Sequence, residues 1–297
     1  MTFSAFRSLL FVSLTGLVAL FGAFRPEAAP TASAPDPADL LRRMLAAANQ
    51  TTAATYRLVK TERIGGKPVV EESTVKLLNK PLKVYIKNIR PNAGREILYV
   101  TGANGGKALI NPAAFPYVNV SLDPLGARIR QGQHHTLHDV GFRRVTDVIA
   151  RQMREQAAEL TKLLRLEPTA ATFDNRPCWV VKMDDPRFKL VPHTSKGGEN
   201  LDQLGQRLGV SEFMIGEKLA GFDGDYQRAL PAGQVIQVPT TYARRTTVLI
   251  DKASLLPVSI AIYDDKGLFE QYDYHDLNSA AVFRDNEFTP EFKGYGF

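Results

Sequence analysis

Hydrophobic and polar residues alternate over much of this chain, and a period of two predicts β-strands with one buried face. The clearest case is the stretch 82–86, where Leu82, Val84 and Ile86 are separated by Lys83 and Tyr85. Strand patterns are also present over 56–64, 69–78, 96–101, 107–110, 117–122, 171–173, 178–183, 241–250, 257–264 and 268–277.

Turn-forming residues lie between many of these strands. Gly65 and Gly66 separate the first two, and an Asp-Asp-Lys-Gly stretch at 264–267 separates the last two. Short connections of this kind join neighbouring antiparallel strands. The sequence therefore predicts an α+β protein built on a curved antiparallel sheet that resembles half a barrel.

Two stretches have the helical period instead. Asp36 and Pro37 are typical of a helix start, and the residues up to 49 carry one apolar face. Over 136–166, apolar residues recur three and four positions apart, and Pro168 follows. We predict that residues 136–166 form the longest amphipathic helix of the chain.

The first 34 residues have the pattern of an export signal. Arg7 precedes an apolar run from Leu9 to Phe24, and a stretch rich in alanine, proline and serine leads to Ala34. This order predicts a signal peptide and linker over residues 1–34, while an uncleaved N-terminal anchor also fits. No later run reaches membrane length. The mature protein is therefore expected in the periplasm or cell envelope, with no further transmembrane span.

A different pattern interrupts the strands at residues 189–239. A Gly-Glu-Asn-Leu stretch at 198–201 is typical of a turn that begins a helix, and the segment closes with Leu-Pro-Ala-Gly-Gln-Val-Ile-Gln-Val-Pro at 230–239. In order and spacing the segment resembles the LysM family, whose small βααβ units bind the N-acetylglucosamine backbone of peptidoglycan or chitin. The implied organisation is a module at 189–239 inserted into a discontinuous sheet domain at 35–188 and 240–297.

The LysM resemblance implies a shallow glycan site between two loops, where backbone and small polar groups contact acetamido groups and apolar residues cover the sugar faces. The implied contact residues are Gly198, Glu199, Asn200, Leu201, Leu230, Pro231 and Ala232. The implied partner is peptidoglycan or another N-acetylglucosamine polymer, bound weakly because there is one module. Ser195 and the long loop at 222–228 depart from the family pattern. The alternative is a module that only braces the sheet domain.

The strands around the module carry a second resemblance. The stretch 244–277, with its Asp-bounded turns, and the closing stretch 286–292 resemble exported lipoprotein carriers of the LolA and LolB type. The C-terminal Tyr-Gly-Phe at 295–297 is similar to the end of an uncharacterised exported family. In such carriers a half-barrel covered by helices holds acyl chains. The resemblance implies a lipid or lipoprotein ligand, with the helix 136–166 as lid, unless the apolar face is simply filled by packing.

Charge and cysteine content exclude some classes of function. The net charge is +6, but the basic residues are spread out and do not form a run interleaved with aromatics, so nucleic acid is not an expected partner. Cys178 is the sole cysteine and cannot form an intramolecular disulfide. Its apolar strand context predicts a buried thiol.

Candidate catalytic residues are concentrated at His134, His138 and Asp139. Two imidazoles four positions apart and a carboxylate would suit zinc, and a cell-wall hydrolase using them is the enzymatic alternative. However, the chain has no His-Glu-x-x-His motif and no Gly-x-Ser-x-Gly motif, and a solvated helix start is the simpler interpretation. The sequence predicts a non-enzymatic protein without metal or cofactor that binds peptidoglycan-type glycan. The alternative is a periplasmic lipid or lipoprotein carrier.

Overall fold

The computed structural model describes residues 34–297. The predicted signal peptide and linker therefore lie, except for Ala34, outside the described residues. Residues 35–297 form one compact unit. Within the described residues, no helix is both long enough and apolar enough to cross a membrane.

The strands are β1 (Ala53–Ile64), β2 (Lys67–Asn79), β3 (Leu82–Arg90), β4 (Glu96–Val100), β5 (Ala108–Asn111), β6 (Val120–Leu122), β7 (Leu164–Leu166), β8 (Ala171–Phe173), β9 (Arg176–Asp184), β10 (Leu190–Thr194), β11 (Val235–Pro239), β12 (Arg245–Asp251), β13 (Pro257–Asp264) and β14 (Gly267–Asn278). The α-helices are α1 (Pro37–Gln50), α2 (Ala127–Arg130), α3 (Arg143–Glu155), α4 (Leu160–Leu163), α5 (Leu201–Leu208) and α6 (Glu212–Gly216).

Twelve of these strands form one large sheet, in the order β6-β5-β4-β3-β2-β1-β14-β13-β12-β9-β7, with β8 paired to β9. The ladders between its strands are antiparallel. The first and last parts of the chain meet at the centre, where β1 pairs with β14. The predicted class, α+β with a large curved antiparallel sheet, is confirmed.

The β1–β2 hairpin shows how local sequence directs the register. Gly65 and Gly66 have φ of 56° and 79°, a backbone region that only glycine adopts freely. Two such residues form the tight turn whose twist matches that of the flanking strands. Ile64 consequently pairs with Lys67, and this register continues to Ala53 and Leu78.

The N-terminal helix was predicted correctly. The Asp36 side chain accepts a hydrogen bond from Ala38 N at 2.6 Å, and Pro37 occupies the first position of α1. Leu40, Leu41 and Met44 are fully buried against the sheet and contribute to its main apolar core. Burial of each such side chain stabilises the fold by about 2 kcal/mol.

The prediction of one long helix over 136–166 is wrong. Only α3 is continuous, over Arg143–Glu155, and it is preceded by a short 3-10 turn at Leu137–Asp139. Gly141, with φ of 94°, breaks the backbone before α3, and Gln156 leaves helical geometry after it. Residues 164–166 pair with β9 as a strand. The apolar period was real, but it extends across backbone breaks that periodicity does not reveal.

Residues 190–239 form a small unit of their own. Strands β10 and β11 pair with each other in a separate two-stranded sheet, and α5 and α6 lie between them in the chain. A separate apolar cluster fills this unit: Leu201, Leu204, Val210, Ile215, Leu230, Ile236 and Val238. Phe213 and Met214 of α6 instead join the main core. The small unit therefore packs firmly on the sheet.

Candidate ligand-binding site

A cavity of about 470 Å³ lies between the large sheet and the segment 128–145. Strands β1 to β6 and β14 supply one wall, and α2, the 3-10 turn and the start of α3 cover it. Its volume falls within the range of about 300–1,000 Å³ that is usual for small-molecule sites. Much of the wall is aliphatic, including Val75, Ile86, Ile97, Ile110, Leu137 and Val145.

The wall changes from apolar to charged along β1, toward the β1–β2 hairpin. Alternate residues of a strand share one face, so cross-strand partners form rows on that face. The rows are Leu58 with Ser73 and Tyr274, then Lys60 with Glu71 and Tyr272, then Glu62 with Val69 and Glu270. We call the charged and tyrosine residues of the last two rows the polar end: Lys60, Glu62, Glu71, Glu270 and Tyr272.

The carboxylates of the polar end are buried but well paired. Glu62 and Glu270 are each 1% exposed. Tyr272 Oη lies 2.7 Å from Glu62 Oε1 and 3.2 Å from Glu270 Oε2. His134 Nδ1 is 3.0 Å from Glu270 Oε2, and Tyr242 donates to Glu270 Oε1 at 3.0 Å. Such pairing is required for a carboxylate to remain inside a core.

The shifted pKa values of Glu270 and of the neighbouring His135 both favour the charged form. Burial raises the pKa of Glu270, but the neighbouring imidazoles of His135 and His134 outweigh burial and hold it well below the ordinary carboxyl value. Burial lowers the pKa of His135, but the carboxylates of Glu270, Asp139 and Glu62 outweigh burial, and the pKa is raised. The protonated form of His135 is therefore more favoured than in a free imidazole.

The structure changes the interpretation of the histidine cluster. His134 is 2% exposed and stacks against Phe213 and Phe269, so the prediction of a solvated helix start is wrong for this residue. His138 is exposed, and Asp139 accepts bonds from Thr136 as a local cap. Among residues 34–297, no cluster of three or more histidine, cysteine or acidic side chains is arranged to hold a metal ion.

An exposed, uncharged loop lies beside the cavity. Pro112 and Leu122 line the cavity, and the nine residues 113–121 between them are all exposed. Phe115 is 88% exposed and Tyr117 73% exposed. Large apolar side chains in such positions typically mark contact with a partner or a membrane. The sequence predicted only a strand here, and of that strand the structure retains Val120–Leu122.

The two loops expected to bind glycan lie next to each other in the small unit. Leu230 N donates to Glu199 O at 2.8 Å, and Gly233 N donates to Ser195 O at 2.9 Å. Gly198, Pro231 and Ala232 are exposed, whereas the side chains of Leu201 and Leu230 pack inside the unit.

Two other residues of these loops already have partners. Glu199 is paired with His193 at 2.9 Å and Arg207 at 2.5 Å. The Asn200 side chain caps α5 and also donates to Gln227 O of the long loop. Cys178 lies on a different element, β9, and is fully buried as predicted.

Part of the chain matches a known protein family by sequence. Residues 52–193, slightly under half of the chain, match the family described as "Protein of unknown function (DUF1571)". No protein of curated function matches by sequence.

Solved structures resemble the chain at low identity. MucB in its Pseudomonas aeruginosa complex with MucA is 13% identical with a TM-score of 0.38, and the match covers 86% of this chain and 60% of that one. Lipoprotein LppX of Mycobacterium tuberculosis is 13% identical with a TM-score of 0.39, covering 84% and 100%. A LolA superfamily protein of Nitrosomonas europaea is 10% identical with a TM-score of 0.30, covering 86% and 98%. In another MucB structure, the match spans 63% of that protein's chain.

Proposed function

We propose that this protein is a non-enzymatic carrier of a lipid-like amphiphile in the periplasm or cell envelope. The observation that carries the proposal is the cavity, which has an aliphatic wall at one end and a charged row at the other. An amphiphile matches this division, because its chain needs apolar contacts and its head group needs polar partners. The N-terminal pattern of an export signal supports the location.

The uncharged loop 113–121 supports exchange of that ligand with a membrane. Its exposed Phe115 and Tyr117 are residue types that partition into the membrane interface. Since Pro112 and Leu122 at its two ends line the cavity, contact of this loop with a bilayer would bring the cavity to the lipid. A ligand could then pass between bilayer and cavity over a short path.

A steric block of the cavity tests the proposal. Leu122 lines the cavity from the edge strand β6, and its neighbour Ser121 is exposed. We expect Leu122→Trp to reduce the amount of lipid that co-purifies with the full chain, measured by native mass spectrometry, and Ser121→Trp to retain it. An unaltered protein that carries no lipid, and binds none on addition, would contradict the carrier function.

A second candidate function, glycan binding by a LysM-like module, is supported by the adjacency of the two loops in residues 190–239. The strand–helix–helix–strand order also supports it. Because the Leu201 and Leu230 side chains face inward, contacts would come from the exposed Gly198, Pro231 and Ala232 and from backbone groups. Such a shallow site would bind weakly.

Retention on insoluble peptidoglycan tests this second function. Point variants are preferable to deletion of 189–239, because deletion would remove Phe213 and Met214 from the main core. Ala232→Glu, in the exposed loop, should lower retention, while Gln237→Glu, on the exposed face of β11, should not. Equal retention of both variants and the unaltered chain would place any binding elsewhere.

A further inference from the structure

The acceptors near the polar end are already used by the protein itself. Glu62 accepts from His134 N at 3.0 Å and from Tyr272 at 2.7 Å. Glu71 pairs with Lys60 at 3.5 Å and with Arg95 at 3.4 Å. The negative charge of each carboxylate is therefore already compensated by partners within the protein, so neither offers an uncompensated charge to a ligand.

Lys60 and Asp139, which also line the cavity, are similarly engaged. Lys60 donates to Gln133 Oε1 at 3.1 Å and lies 3.6 Å from Glu62. Asp139 accepts from both the backbone and the hydroxyl of Thr136, at 2.9 and 2.8 Å. Both residues therefore already have partners within the protein, and we do not expect either to be the main contact of a ligand head group.

Donors, in contrast, remain available in the cavity wall. Arg95 Nε, Arg144 Nε and His135 Nε2 are buried and make no hydrogen bond to any of the residues 34–297. Glu270 Oε2, 3.2 Å from His135 Nε2, compensates the charge of the imidazole, but the alignment is poor, so the N–H still lacks a well-placed acceptor. The nearest carboxylate oxygen to Arg144 belongs to Glu212, at 3.7 Å. A buried donor without an acceptor is destabilising, so a ligand that supplies the acceptor gains affinity.

We infer that the cavity takes an amphiphile with an anionic head group, a carboxylate or a phosphate, which Arg144 and His135 bind at the charged side while the chain lies on the aliphatic wall. This inference rests on the proposed function, since it names the ligand class for the same cavity. An anionic oxygen supplies the acceptors that these donors lack, and hydrogen bonds between charged groups are the stronger kind. A cationic head group would face Arg144, Arg95 and Lys60 with no free carboxylate to receive it.

Three ligands with the same chain and different head groups test the charge preference. Oleate, oleyl alcohol and oleylamine are titrated into the full chain by isothermal calorimetry at pH 7. We expect oleate to bind about tenfold more tightly than oleyl alcohol, because hydrogen bonds to a charged group are stronger than those to a neutral hydroxyl. Inorganic phosphate in excess separates a lipid head-group site from a free-anion site, and we expect it not to displace oleate.

Adjacent arginines provide the matched variants. Arg144 lines the cavity, whereas the Arg143 side chain is 82% exposed and pairs with Asp147 at 3.8 Å. Arg144→Gln should weaken oleate binding about tenfold and leave oleyl alcohol unchanged, and Arg144→Lys should retain most of the oleate affinity. Arg143→Gln should change neither ligand.

The outcomes separate this inference from the carrier function. If oleate and oleyl alcohol bind equally, or oleylamine binds best, the anionic head group is wrong and the carrier function stands. If phosphate alone displaces oleate, the site is one for small anions, and the inference is again wrong. If none of the three chains binds, both proposals fall. The ligand series on the unaltered protein decides the matter even if Arg144→Gln does not fold.

Discussion

At the scale of single residues, Glu270 is the charge on which the centre of the fold depends. Its carboxylate is buried and contacts His134, His135, Tyr242 and Tyr272. Removing one partner of a buried ion pair leaves the other charge without compensation, which is far more destabilising than losing a surface pair. Glu270 should therefore matter for stability whether or not a ligand is bound.

We predict that Glu270→Gln lowers the free energy of unfolding by about 3 kcal/mol at pH 7, measured by urea denaturation. The control is Glu167→Gln, which removes a partly exposed pair with Lys182 and should change stability by under about 1 kcal/mol. Similar values for the two variants would show that the buried network adds nothing specific.

The pH dependence of stability follows from the same two groups. The pKa of Glu270 is lowered from 4.5 in the folded protein. The stability that this carboxylate contributes is therefore fully present above pH 4.5 and is lost as the pH falls through the folded-state pKa. The pKa of His135 is raised from 6.5 in the folded protein. The stability that this imidazole contributes is therefore fully present below pH 6.5 and is lost as the pH rises through the folded-state pKa. Stability should be highest between pH 4.5 and 6.5, and Glu270→Gln should flatten the profile on both sides.

At the scale of elements, the covering segment 128–145 depends on a tight approach of backbone to sheet. Gly141 has φ of 94°, and a Cβ there would lie 2.5 Å from Leu77 Cδ2. We predict that Gly141→Ala lowers the free energy of unfolding by about 2–3 kcal/mol, from strain and overlap together. Gly221 has φ of 70° but open space around it, so Gly221→Ala introduces the backbone strain without the overlap. We expect it to lower the free energy of unfolding by about 1 kcal/mol. Thermal unfolding of both variants measures the difference.

The exposed loop 113–121 gives a prediction about surface contact. Phe115→Ser should weaken association with phosphatidylcholine vesicles about tenfold in co-sedimentation, because burying a phenyl ring contributes about 1.5–3 kcal/mol. It should leave the unfolding temperature unchanged, since Phe115 is 88% exposed. Val282→Ser is the control, because Val282 is 92% exposed but lies outside the loop 113–121. If both variants lose vesicle association equally, the loop 113–121 has no specific role in membrane contact, and the proposed exchange through it is wrong.

These elements also show how far the sequence could predict the site. The turn at Gly65 and Gly66 specifies the β1–β2 register, so the pairing of Lys60 with Glu71 follows from local chemistry. Charged residues on an otherwise buried face of β1 were a signal that the sequence analysis missed. The contact between Glu62 and Glu270 could not be derived, because it depends on the pairing of β1 with β14 from the far end of the chain.

At the scale of the whole molecule, the unit 190–239 is bound to the sheet by buried charges and rings, and not by a flexible connection. Arg63 of β1 pairs with Glu217 at 3.2 Å, after α6. Phe213 of α6 stacks on His134, with ring centroids 4.8 Å apart, and His134 in turn contacts Glu270. The small unit therefore supports the residues of the polar end, and we expect substitutions that destabilise the unit to change the structure of the cavity as well.

Substitution of Arg130 tests the coupling between the small unit and the segment that covers the cavity. Arg130 is 7% exposed and pairs with Asp202 at 2.6 Å and Glu212 at 3.1 Å. Arg130→Ala would leave both carboxylates without that partner, and we expect a loss of about 3–5 kcal/mol in the free energy of unfolding. Hydrogen exchange should then report faster exchange in α5 and α6 and in the segment 128–139 together. Arg228→Ala removes exposed pairs within the unit and should have little effect. Faster exchange confined to the unit would mean that it unfolds independently of the sheet, and its contact with His134 would then be incidental to the cavity.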